Sequence, residues 1–338
     1  MSKRVSTIYD LAELAGVSAS TVSAVLSGKA KARRIAEATV ASVQQLAEAH
    51  RFTLNRQASG LRRSRSGLIG MIIPMHDNRF FSEMSRAFER LARERHWYPI
   101  VVSTLRDPAL ELETVNTLLS YRIEQLIVTG ATDPDSVGRA CRAHGVAHVN
   151  VDLPGTTATS VVSDNYWGAQ QLTRALIERS RPMRQGPRNR IHFVGGLASD
   201  YATQRRVAGF ADTVAAKIGA VRPDQIDACG YAGERAEASV RALHARLGGL
   251  PRGLFINSTI ALEGVVRFLK TLPHREVAAC TVGCYDWDPF ASALSFPVLM
   301  VRQDVEALLG EAFRIVDNGT FAEARLVEIK PQVMYAPA

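Results

Sequence analysis

The sequence predicts an all-α helix-turn-helix head followed by a larger α/β body, and three observations predict it. Residues 7 to 28, TIYDLAELAGVSASTVSAVLSG, have the pattern of two short amphipathic helices joined by a tight turn. The charge is lopsided: of a net +8, residues 1–66 hold 11 Lys and Arg against 4 Asp and Glu, and the other 272 residues are nearly neutral. From Leu68 onward, short β-rich runs alternate with helical stretches, which implies a parallel sheet covered on both faces.

The head starts with Thr7, a helix cap with Asp10 three residues on to favour the positive helix end. Leu11, Ala12 and Ala15 recur at helical spacing, and Gly16 supplies the turn. Ser18 caps the second helix, with Val17 and Val22 placed as a hydrophobic staple. Val22, Val25 and Leu26 then face inward, which turns Ala19, Ser20, Ser23 and Ala24 outward. Any helical hairpin alternates faces in this way. The charge separates the readings, because a basic module of one small domain neutralises phosphates and releases their counterions. A helix-turn-helix so placed enters the major groove of DNA. Membrane-surface binding would need bulky apolar and aromatic residues opposite the basic face, and the apolar residues here are small.

A third helix, with Val40, Val43 and Leu46 on its packing face, completes a head over residues 1–53. Residues 54–67, LNRQASGLRRSRSG, follow as a hinge helix and linker. Gly60 and the flanking arginines argue against a helix stable in isolation. Leu61 stands among those arginines with no partner to bury it, which fits either a plain linker or a minor-groove wedge that orders on DNA.

In the body, residues 68–338, GLIGMIIP reads as a buried strand, followed by a helix through Phe88 and Leu91 and the strand YPIVVS. EQLIVTG, AHVNVD, IHFVGG, GLFINS and VAACTVG continue the alternation. VLMVRQ, the helix EALLGEAFRIVDNG and a final extended pair in ARLVEIKPQVMY end it. The strand-to-helix turns carry no G-x-G-x-x-G and no P-loop, and neither H-E-x-x-H nor G-x-S-x-G occurs. No catalytic residue, metal site or cofactor is therefore expected. Cysteines 141, 229, 280 and 284 are too few and too scattered for a disulfide framework, and AACTVGCYD reads as a buried strand running into a turn. No apolar run approaches membrane-spanning length. The opening MSKRVSTIYD lacks the apolar stretch of a secretory signal, so a cytoplasmic location is expected.

On these motifs the chain resembles the lac repressor family of bacterial transcription factors nearly end to end. TIYDLAELAGVSASTVSAVLSG resembles the family's head signature, NRQASGLR its hinge helix and SGLIGMIIP the entry to its effector domain. NRFFSEM, VVSDN, RRVAGF, INSTIALEGV, GCYDWD and VRQD fall where the family has corresponding motifs. The resemblance implies a two-lobed, periplasmic-binding-protein-like effector domain whose lobes are joined by crossings near Asp164, at 297–302 and at 319–324. It also implies a homodimer on double-stranded operator DNA, controlled by a small sugar or sugar phosphate. The loop SGKAKARRIAEAT, longer than is usual in the family, is most similar to the fructose and sucrose repressor subgroup. A fructose-type effector is expected on that ground.

By the same resemblance, Arg206 in RRVAGF matches the family's effector-binding arginine and Asp286 in YDWD its hydroxyl-binding aspartate. Asp164, Asn257 and Gln303 fall at further polar positions of the cleft, and Phe80 and Phe81 on its apolar wall. Ser258 stands where the family commonly has an aspartate. At the start of a helix its hydroxyl and neighbouring N–H groups can take a phosphate. For DNA, the candidates are Thr7, Ser18, Ala19, Ser20, Thr21, Ser23 and Ala24 in the hairpin, Lys29, Lys31, Arg33 and Arg34 in the loop, and Asn55, Ala58 and Leu61 in the hinge. Residues as small as Ala19, Ser20 and Ala24 cannot make the bidentate contact of arginine to guanine, which shifts specificity to thymine methyls, the basic loop and DNA shape. Two alternatives remain at this stage. A transport-type sugar-binding protein would need an export signal, and an enzyme would need a reactive constellation.

Overall fold

The computed structural model describes residues 7–52, 66–180, 186–321 and 323–334. Two compact units emerge, Met1–Ser66 and Gly67–Ala338. In the first, helices α1 (Ile8–Ala15), α2 (Ala19–Leu26) and α3 (Glu37–Ala49) enclose one small core. Leu11, Val22, Val25 and Val43 fill it, with Val17, Val40 and Leu46 packed at its edge. Gly16 ends α1 at φ 64°, the left-handed turn that a side chain would strain.

The second unit is two α/β lobes. Lobe 1 runs through β1 (Leu68–Ile73), α4 (Arg79–Glu94), β2 (Tyr98–Ser103), α5 (Pro108–Ser120), β3 (Gln125–Thr129), α6 (Pro134–Ala143), β4 (Ala147–Val151) and β5 (Ser160–Ser163). Lobe 2 continues with α7 (Asn165–Arg179), β6 (Ile191–Val194), β7 (Gly196–Leu197), α8 (Tyr201–Lys217), β8 (Ile226–Asp227) and β9 (Cys229–Gly230). It is completed by α9 (Gly233–Leu247), β10 (Gly253–Ile256), α10 (Thr259–Leu269), α11 (His274–Val277), β11 (Thr281–Tyr285) and β12 (Val298–Arg302). The chain then returns to lobe 1 with α12 (Val305–Asp317) and β13 (Leu326–Ile329), and ends in lobe 2 with β14 (Gln332–Met334).

Lobe 1 is a sheet in the order β13-β5-β4-β3-β1-β2, parallel throughout. Lobe 2 has the order β14-β12-β11-β10-β6-β8, parallel except where β14 runs against β12. Both faces of each sheet are covered, so the central strands are buried almost without a break, as the apolar runs LIGMII and GLFI require. Helix α12 packs Leu308, Leu309 and Phe313 with Phe88 and Met84 of α4, which assigns it to lobe 1. In lobe 2, Phe193, Phe210 and Phe255 form an aromatic cluster with a closest centroid spacing of 4.8 Å. Helices α9 and α10 touch backbone to backbone: a Cβ on Gly264 would lie 1.8 Å from the Gly233 carbonyl oxygen.

The lobes are linked three times. The first crossing is at Asp164, between β5 and α7. The second falls at 303–304 and not at 297–302, because those residues are β12, paired inside lobe 2. The third falls at 330–331 and not at 319–324, because α12 and β13 both belong to lobe 1. The two strands of ARLVEIKPQVMY thus join different sheets, turned apart at Pro331. No described helix is long and apolar enough to cross a membrane.

Candidate functional site

The head carries one candidate surface. Thr7 and Asp10 close a capping box, the Asp10 N–H donating to Thr7 Oγ1 at 3.2 Å and the Thr7 N–H to Asp10 Oδ2 at 3.0 Å. Ser18 Oγ accepts from the Thr21 N–H at 3.1 Å and lies 2.8 Å from the hydroxyls of both Ser20 and Thr21. This fixes the first turn of α2 as a patch of hydroxyls. Ser20 is exposed, and Ala19, Thr21 and Ser23 are half-buried. Ala24 does not face outward: it is 4 % exposed, and its carbonyl accepts from the Lys29 N–H at 2.8 Å in the turn that ends the helix. Lys29, Lys31, Arg33 and Arg34 are all exposed on that turn, Arg34 at φ 53°. Asn55, Ala58 and Leu61 lie outside the described residues.

The second candidate lies within the body, at the cleft between the lobes. The loops after parallel strands converge there, at the carboxyl ends where an open α/β sheet leaves space for a ligand. Met75, Asn78, Phe80, Phe81, Arg106 and Asp152 line it from lobe 1. Asp200, Arg206, Tyr231, Ser258 and Asp286 line it from lobe 2, with Gln303 at the second crossing. The space open between them is about 30 Å³, room for about one water, so the two walls of the cleft stand close together. Phe80 and Phe81 stand edge to face at 5.2 Å on the first turn of α4, whose cap Asn78 accepts from the Phe80 N–H at 2.9 Å.

Arg206 is 3 % exposed and held on three sides. Its Nε donates to Asn165 Oδ1 and its Nη1 to the Asn257 carbonyl, both at 2.7 Å, while its plane lies over Tyr285. Burial by itself would lower its pKa, but Asp286, Tyr285, Tyr231 and Asp152 act the other way and raise it. The guanidinium is therefore a fixed cation. Gln303 Nε2 donates to Asp286 Oδ1 at 2.5 Å. Burial pushes the Asp286 carboxyl upward, against the pull of Arg206 and that hydrogen bond. Asp200 caps α8 by accepting from the Ala202 N–H at 2.8 Å, and Tyr231 donates its hydroxyl to the same carboxylate.

Two expected cleft residues are elsewhere. Asp164 is the cap of α7, accepting from the Trp167 N–H at 2.9 Å at the first crossing. The Asn257 side chain is fully buried, with its amide packed on Gly196, and neither of its polar atoms has a hydrogen-bond partner among the described residues. Its backbone carbonyl, not its amide, serves the cleft by holding Arg206. The Ser258 hydroxyl is engaged too, accepting from the Ala261 N–H at 3.3 Å as the cap of α10. That leaves it less free for a phosphate than the sequence suggested.

Besides Asn78, the cap of α4, four polar residues of the cleft were missed. Asp152 follows β4 at φ 74° and Arg106 follows β2 at φ 57°. Left-handed backbone at non-glycine residues marks positions the surroundings hold against strain. Burial raises the Asp152 carboxyl to about 7, opposed by Arg106 and Arg206 and assisted by Asp200 and Asp286. Arg106 stacks its guanidinium 4.8 Å from the Tyr231 ring centroid. Asp200 and Tyr231 complete the four. The available signal was position: Asp152 ends the predicted strand AHVNVD, and Arg106 follows YPIVVS.

Comparison with known proteins agrees with this architecture. Residues 7–55 match the model of the bacterial regulatory proteins of the lacI family. Residues 66–270 match that of the periplasmic binding proteins and sugar-binding domain of the LacI family. The ribitol operon repressor of Klebsiella aerogenes is 48% identical over 190 residues, 56% of this chain and 70% of that protein. The sucrose operon repressor of Klebsiella pneumoniae is 28% identical over 337 residues, 100% of this chain and 97% of that protein. The crystal structure of the lac repressor dimer bound to operator and an anti-inducer superposes with a TM-score of 0.81 at 20% identity, covering 98% of each chain. At that identity the likeness concerns the fold. The match across both the head and the body carries the assignment: the chain belongs to the lacI family of bacterial regulatory proteins and is a DNA-binding transcriptional regulator with a sugar-binding domain.

Proposed function

We propose that the protein is a cytoplasmic repressor that binds operator DNA as a homodimer and is controlled by a small uncharged polyol held between the two lobes. In this reading residues 1–53 form the DNA-reading head, 54–67 the hinge and 68–338 the effector and dimerisation body. The cleft binds and does not catalyse. The observation that carries the effector class is the charge of the cleft: Asp152, Asp200 and Asp286 face Arg106 and Arg206. Three carboxyls give ample acceptors for hydroxyl groups. A phosphoryl group of charge about −1.5 to −2 would stand against these carboxyls and would keep Asp152, which titrates at about 7, protonated. Two of the three Arg206 nitrogens already serve Asn165 and Asn257. The 48% identity to a ribitol operon repressor supports an acyclic polyol over the fructose-type ligand suggested by the head loop.

Titration calorimetry with ribitol, D-arabinitol, fructose and fructose 1-phosphate tests the reading, together with operator binding in the presence of each. Binding by a pentitol, with a change in operator affinity, is expected. Binding by fructose 1-phosphate in preference to the pentitols would overturn it.

A further inference from the structure

Outside the ligand cleft, the two lobes touch through a second set of charges. Arg79 is the first residue of α4 in lobe 1, and its Nε lies 3.2 Å from Oδ1 of Asp288, in the loop after β11 in lobe 2. Neither residue lines the cleft. Asp288 is fixed independently, since its Oδ1 also accepts from the Phe290 N–H at 2.9 Å and caps a short turn. Trp287 lies beside the pair, with Arg302 at 4.5 Å from its ring centroid and Arg79 at 6.0 Å. Arg79 Nε is shielded from solvent but makes no hydrogen bond, so its link to Asp288 is one of charge alone. Glu83, at 3.7 Å from Arg79 Nη1, is the competing carboxylate on the same helix.

We infer that Arg79 and Asp288 form a latch that holds the lobes closed without effector, and so sets how much effector is needed to switch the protein. A contact that exists only when the lobes meet adds to the stability of the closed state alone. An effector shifts the lobes only by its own preference between states, so the latch moves the starting point of that shift. The side chains are 37% and 30% exposed, which places the pair among the modest ones. Its loss should change the ratio of closed to open by about two- to fivefold.

The test is a double-mutant cycle on the full chain. Asp288→Asn keeps an acceptor for the Phe290 N–H and removes only the charge, and Arg79→Gln removes the other partner. Spin labels on cysteines placed at exposed Glu113 in α5 and Arg275 in α11, in a Cys229→Ser background, report the distance between lobes. Without effector, each single variant should populate the longer distance about two- to fivefold more, and the double variant no more than either single one. The difference should vanish at high salt. Distance distributions unchanged by either variant, or a double variant in which the two effects simply add, would overturn the latch. In the proposed reading ribitol bridges both lobes and so favours the closed state, and its titration adds a second readout, with a higher midpoint expected for each variant. A failure of ribitol to bind at all would strike the proposed effector and leave the distance result standing.

Discussion

The guanidinium of Arg206 lies on the face of Tyr285, its Cζ 3.8 Å from the ring centroid. Behind that ring is the hinge. A Cβ on Gly168 would come within 2.4 Å of the Tyr285 hydroxyl and 2.8 Å of the Pro331 ring, so α7 and the third crossing close on one aromatic side chain. The residue proposed to bind effector and the third crossing between the lobes therefore share a wall.

Arg206→Ala should accordingly do two things. It should abolish the effector's influence on operator binding. It should also destabilise the body by about 1–3 kcal/mol, since Asn165 Oδ1 and the Asn257 carbonyl lose their buried donor. Urea unfolding followed by circular dichroism reads the second effect, and fluorescence-anisotropy titration of operator with and without ribitol reads the first. A variant that still responded to ribitol as the wild type does would remove Arg206 from the site.

Asp152 makes stability depend on pH. Its carboxyl titrates at about 7 in the folded chain, well above the ordinary carboxylate value, because burial disfavours its charge. The folded state therefore holds the proton more tightly than the unfolded one. That contribution to stability is fully present at acid pH below the ordinary carboxylate value and is lost as pH rises through 7. Asp152→Asn should flatten the fall in Tm between pH 5 and pH 8, an effect on the order of a few kcal/mol. Ligand hydroxyls favour the ionised carboxylate, so polyol affinity in the wild type should rise over the same interval. An equal fall in Tm for both proteins would contradict the assignment.

In the head, Ala24 and Ser20 should respond in opposite ways to a larger side chain. Ala24→Leu inserts volume at a covered position and should cost the head about 1–3 kcal/mol, read as a lower unfolding midpoint. Ser20→Arg points into solvent and should leave the midpoint nearly unchanged while altering operator preference in a binding-site selection. Equal destabilisation by both would place Ser20 in the core.

Gly264→Ala should be among the most damaging single-methyl changes in lobe 2. The added carbon would sit 1.8 Å from the Gly233 oxygen, so α9 and α10 must separate along their whole contact. A loss of about 1–3 kcal/mol is expected in thermal or urea unfolding, with operator binding by the head retained. Gly310→Ala, on α12 with no heavy atom near the added carbon, serves as the tolerated control.

Leu61 belongs to the segment outside the described residues, and its role as a minor-groove wedge is tested on DNA. Leu61→Ala should lower operator affinity by a few kcal/mol at most and reduce DNA bending, with ligand binding unaffected. Unchanged affinity and bending would make the segment a plain linker.

Periodicity made the head and the alternating body legible, because a 3.6-residue repeat and short buried apolar runs are local properties of the chain. The crossings were displaced because VLMVRQ and the helix after it look alike whichever lobe they serve. Only the pairing of β12 with β11 and the packing of α12 on α4 decide that. Cleft residues showed the same division. Arg206, Asp286 and Gln303 sat in recognisable motifs, whereas Asp152 and Arg106 look in sequence like ordinary turn residues after a strand. Asp164 and Asn257 sit beside the cleft as a cap and a strut, a distinction made by side-chain direction alone. Ala24 shows the limit of helical projection, since it is buried on a face that the projection leaves open.

The threefold threading of the lobes also orders events at the ribosome. Lobe 1 begins at Leu68, yet its sheet is closed by β13 and one face is covered by α12, both from the last tenth of the chain. A nascent chain that has released everything up to β12 can assemble most of lobe 2 and still lack an outer strand and a covering helix of lobe 1. The head, by contrast, is self-contained within its first 52 residues and is ready early. During synthesis the protein therefore has its DNA-reading module long before it has a complete place for its signal.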